Sequence, residues 1–155
     1  MKNIFILFFV VFNLLWGGNA RFAGSMDQRE GVVTVVITGF KNQTGNINIA
    51  LFNSKAGFPD DGEKGFKKSI VPVSEYLKEG KAVIHFSAVP FGRYAVMVMH
   101  DENANRKMDK NFLGIPQEGY CASNNAASFL APPRFEKASF ELSAGAIDVI
   151  CKIGY

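Results

Sequence analysis

Asp101, Asn103, Asn105 and Asp109 put oxygen-bearing side chains at the first, third, fifth and ninth positions of one short segment, with Lys107 at the seventh. That spacing suits a hard cation. Calcium takes about six to eight oxygens, and a tight loop turns alternate side chains inward while its seventh position offers a backbone carbonyl. Two positions depart from the pattern: the sixth, where glycine makes the sharp turn, is Arg106, and the twelfth, where a glutamate closes the shell, is Phe112. Glu118 and Asn111 are the nearest substitutes for that glutamate. Asp101, Glu102 and Asp109 are offset by Arg106, Lys107 and Lys110, so the segment is formally neutral. If calcium binds here, it is expected in the weak extracellular range of about 10⁻⁴ to 10⁻³ M. The competing expectation is a turn-rich connection whose Asn and Asp side chains bond their own backbone and need no metal.

His100 precedes this segment and shares a strand face with Tyr94, Val96 and Val98. It is a structural histidine at a strand end or, beside Asp101, a ligand or general base. A small hydrolase or lyase would have to rest on His100, Asp101 and Glu118, and no nucleophile accompanies them. Nucleophile elbows, zinc helices of the HExxH type, CxxC pairs and phosphate-cradling glycine loops are all missing from the sequence. The expected function is non-catalytic: a module whose segment 101–125 is structural or weakly calcium-binding and forms a binding surface, joined by the connection 55–65 if both lie at one end.

The elements that position this segment are strands. Residues 32–40 are rich in β-branched types, with Val33, Val35 and Ile37 in phase, and Ile47, Ile49 and Leu51 repeat that alternation in 46–53. These two runs read as a hairpin. Further strands are expected at 67–73, at 81–87 (Ala82, Ile84 and Phe86 in phase, His85 outward), at 93–100, at 135–142 and at 147–153. The run 93–100 is apolar on both faces, which argues for a central, covered strand. Phe58, in a long connection, is expected to dip back as an apolar plug. About seven strands and no convincing helix predict a single all-β antiparallel sandwich, immunoglobulin-like or transthyretin-like, over 32–155.

Residues 1–20 have the layout of a signal peptide: Lys2, an apolar run from Ile4 to Trp16, then Gly18 and Ala20. Residues 21–31 read as a flexible lead-in. Export to the periplasm or beyond follows, with no transmembrane anchor after cleavage. Loss of Lys2 leaves 16 basic residues (17 minus 1) against 14 acidic, or +2. Scattered charge of that size does not make a nucleic-acid surface. A protein, glycan or envelope component is the expected partner. Cys121 and Cys151 form an even pair in an exported chain and are disulfide candidates. Alternatively Cys151 is a small buried apolar residue and Cys121 a lone loop thiol.

The run PFGRYAVMVMHDENANRKMDKN followed by LGIPQEGYCASNNA, which is HDxNxN, then an aspartate, then GIPxEGY, resembles the exported bacterial family called domain of unknown function twenty-one forty-one. The resemblance extends from the Val32 strand to Tyr155. It implies a small exported β-sandwich and no established activity. Arg106 and Cys121 stand where the family pattern has glycine. The first departure weighs against tight turning and metal binding, and the second favours a bridge from Cys121 to Cys151.

Overall fold

The computed structural model describes residues 29–127 and 131–155, so the expected signal peptide and residues 21–28 of the expected lead-in lie outside them. Eight strands are present among the described residues: β1 (Glu30–Thr38), β2 (Asn46–Phe52), β3 (Lys67–Pro72), β4 (Lys81–Pro90), β5 (Gly92–Asp101), β6 (Gly119–Ala122), β7 (Phe140–Leu142) and β8 (Ala146–Lys152). One sheet has the order β4-β1-β8. The other has β3-β2-β5-β6, with β7 also pairing with β5. The two layers form the expected β-sandwich. Its core is the set of in-phase residues: Val33, Val35 and Ile37 from β1 meet Ile47, Ile49 and Leu51 from β2, with Ile84, Phe86, Val96 and Val98 between them. Side chains alternate across a strand, so one face of each is buried and the other is left for solvent or for a second cover.

Five details differ from expectation. β1 and β2 are not a hairpin; they lie in different sheets, and their apolar faces meet across the core. Alternation alone does not separate strands that pair from strands that face each other. β1 and β8 run parallel, with Val35 opposite Val149, so the sandwich is not wholly antiparallel. The expected strand 135–142 opens as a helical turn, Phe135–Ala138, and only Phe140–Leu142 is extended. Finally, β6 arises from the polar segment after the special loop, pairing Met97–His100 with Gly119–Ala122. β1 also begins two residues before the expected start of order.

Phe58 does act as a plug. Its ring packs edge-on against Phe52 at 5.3 Å and Phe135 at 5.9 Å, covering part of the outer face of the second sheet beside Ala95, Ala122 and Ala138. His85 is exposed, as expected.

Cys121 on β6 and Cys151 on β8, 30 positions apart in sequence, are joined by a disulfide with their Cα atoms 5.8 Å apart. It ties one sheet to the other, and both residues are buried in the core. Closing a loop of that length removes unfolded-state freedom equivalent to about 3–4 kcal/mol. Replacing both residues, Cys121→Ala with Cys151→Ala, should lower unfolding free energy in urea by at least that amount. A loss below about 1 kcal/mol would show that the bridge adds little.

Candidate functional site

β5 ends at Asp101, and the loop 102–118 hangs from it. The Asp101 side chain is fully buried and accepts three hydrogen bonds: Oδ1 from Asn105 N at 3.0 Å, and Oδ2 from Asn48 Nδ2 and Arg106 N, both at 2.8 Å.

 In all, three N–H donors converge on this one carboxylate. Gly45 lets the β1–β2 connection pass beside it: its φ is +71°, and a Cβ there would stand 2.0 Å from the Asp101 carbonyl oxygen.

The remaining loop oxygens are engaged in the same way. Asn103 Oδ1 accepts from Asn105 N, and Asn105 Oδ1 accepts from Lys107 N. The amide groups of Asn103 and Asn105 both donate to Asp109, at 2.6 and 3.0 Å. Buried Glu118 closes the base, accepting from Glu102 N at 3.0 Å and Asp109 N at 3.2 Å. Beyond it, Asn111 Oδ1 accepts from Leu113 N and Ile115 N, which folds 109–117 into a short arm with Phe112 at its tip, 95% exposed.

The oxygens of this loop face N–H donors. A hard cation needs oxygen lone pairs turned inward; here the carboxylates of Asp101 and Glu118 accept from N–H groups, and the Asn103 and Asn105 amides present hydrogens to Asp109. Among the described residues no three His, Cys, Asp or Glu side chains converge. The loop is therefore a set of side chains capping their own backbone. Arg106 makes the sharp turn that its bulk was expected to hinder, at φ +64°.

His100, on which the hydrolase or lyase alternative would rest, is completely buried. Its Nε2 lies 2.8 Å from the Thr44 carbonyl, which only accepts, so the proton is on Nε2 and Nδ1 accepts from the Tyr155 hydroxyl at 2.5 Å. Burial raises the Tyr155 hydroxyl above its ordinary range, against the opposing hydrogen bond from Lys41 N. Burial pushes the Glu102 carboxyl up, but hydrogen bonds from Lys41 and Asn42 outweigh it and hold that carboxyl below its usual value.

A second feature went unread in the sequence. On the outer face of β2 and β5, Ala50 lies opposite Met97 and Asn48 opposite Met99, while Met99 also faces Tyr120 of β6. These residues floor a cleft of about 640 Å³. Residues 59–63 form one wall, the loop with Arg106, Met108, Ile115 and Pro116 forms the other, and Pro132 and Pro133 stand at its edge. The signal for it was the apolar second face of β5, which had read as complete burial; Met97 and Met99 are instead only half-buried.

A family model described as "Uncharacterized protein conserved in bacteria (DUF2141)" matches residues 35–149, from within β1 to within β8. The chain belongs to this family. No curated protein and no solved structure matches it. The DUF2141 match takes in the whole loop, the cleft and Cys121, and stops short of Cys151 and Tyr155.

Two substitutions test the loop. Asp101→Ala strands three donors and should cost about 2–4 kcal/mol in urea unfolding. Arg106→Gly relieves a left-handed backbone and should leave stability unchanged or raise it by about 1 kcal/mol. A clear loss with Arg106→Gly would contradict this account of the turn.

Proposed function

We propose that this DUF2141 chain is an exported, non-catalytic binding protein whose Asp/Asn loop is a structural arm and whose cleft takes a small ligand with an apolar body. The observation that carries the reading is the cleft itself. Its volume of about 640 Å³ falls in the range of about 300–1,000 Å³ common to small-molecule sites. Methionines 97, 99 and 108 line it, and their flexible thioethers adapt to apolar surfaces of varied shape. Export is supported by the Lys2 to Ala20 layout and by a disulfide, which persists under oxidising conditions. The non-catalytic reading rests on His100, whose two nitrogens are engaged away from solvent.

The structural reading of the loop is preferred to calcium binding because its oxygens already accept from N–H groups. A site with a dissociation constant of 10⁻⁴ to 10⁻³ M would raise the melting temperature by about 4–8 °C in roughly 10 mM calcium. No rise is expected. A rise of that size, abolished by Asp109→Ala, would restore the metal.

The cleft is tested with the neutral fluorophore N-phenyl-1-naphthylamine and the purified exported protein. Fluorescence should increase on mixing, and Met99→Trp, which fills the floor, should weaken binding about 10-fold. A folded Met99→Trp variant that binds the dye as tightly as the unaltered protein would overturn the reading.

A further inference from the structure

The charges around the cleft are segregated. On the 59–63 side, Glu63 pairs with Lys68 and Asp61 with Lys64, which leaves Asp60. On the loop side, Arg106, Lys107 and Lys110 all line the cleft, and none forms an ion pair among the described residues. Between these sides the surface is mostly apolar, with Ala50, Met97 and Met99 below and Ile70 and Ile115 beside them, and with Asn48 and Ser69 as polar members.

Three unpaired cations on one wall of a concave, partly apolar site raise the local concentration of anions and repel cations. A neutral apolar ligand would leave that wall unneutralised. An ionic ligand without an apolar body would leave the methionine floor in water. A molecule satisfying both parts has an apolar body and one anionic end.

We propose that the cleft binds an anionic amphipath, such as a single alkyl chain ending in a carboxylate or phosphate, with its chain along Met97, Met99 and Ile70 and its head at Arg106, Lys107 and Lys110. This rests on the reading of the cleft as the binding site. The guanidinium of Arg106 meets a carboxylate or phosphate through paired N–H donors, while the two lysines act as point charges.

The test is a calorimetric titration of the purified exported protein with four twelve-carbon probes, each below its micelle concentration: dodecanoate, dodecyl phosphate, dodecanol and dodecyltrimethylammonium. The two anions should bind about 10-fold or more tightly than dodecanol, and the ammonium most weakly. A preference for dodecyl phosphate points to a lipid headgroup as the source, and a preference for dodecanoate to a free fatty acid. Combining Arg106→Gly, Lys107→Gln and Lys110→Gln should reduce anion binding to the dodecanol level while Met99→Trp weakens all four probes. If the triple variant does not fold, Lys107→Gln with Lys110→Gln should still reduce the anion preference, and added salt should lower anion affinity alone. Dodecanol and the ammonium binding as tightly as the anions, with Met99→Trp still blocking them, would overturn the anionic head and keep the cleft. Binding by none of the four, together with no dye binding, would overturn both.

Discussion

Burial of Val96 and Val98 between the sheets commits Met97 and Met99 to the opposite face, because successive side chains on a strand point in opposite directions. Much else follows from that alternation. β2 pairs with β5 in a register that sets Ala50 against Met97 and Asn48 against Met99, and β6 sets Tyr120 against Met99. The floor of the cleft is thus the reverse side of the core. A one-residue slip would exchange the two faces and remove both at once.

The same register delivers Asp101 to the end of β5 with its side chain buried, and a buried carboxylate must be satisfied. Asn48, on the neighbouring strand, supplies one donor, and the backbone at Asn105 and Arg106 supplies the others. That need folds the loop back over the sheet edge. Asn48 retains a cost, since its Oδ1 is the one buried side-chain oxygen without a hydrogen-bond partner among the described residues. Its amide nitrogen donates to Asp101, and the fold leaves the acceptor uncompensated.

Period-two alternation was legible in the sequence to the level of single residues: Val33 to Ile37, Ile47 to Leu51, Ala82 to Phe86 and Tyr94 to Val98 all face the core. Which strands neighbour one another was not. β1 and β2 alternate alike whether they pair or face each other, and β6 is a four-residue strand without a β-branched residue. The oxygen spacing of the loop was visible, but its meaning depended on Asn48, 53 residues from Asp101 in sequence, and on Glu118, whose oxygens bind backbone N–H groups. Calcium loops and self-capping turns use the same residue types, so composition does not separate them.

Arg106 and Cys121 acquire physical roles in this setting. Arg106 adopts the left-handed backbone that glycine takes more easily, at a cost of about 1–2 kcal/mol. In return its N–H reaches Asp101 and its side chain lines the cleft. Cys121 lies on the core side of β6, one residue after Tyr120 of the cleft floor, and binds Cys151 of the opposite sheet. The bridge therefore fixes the strand that borders the cleft to the sheet behind it. A glycine at position 106 would remove a charge from the cleft wall, and one at position 121 would remove the anchor behind its floor.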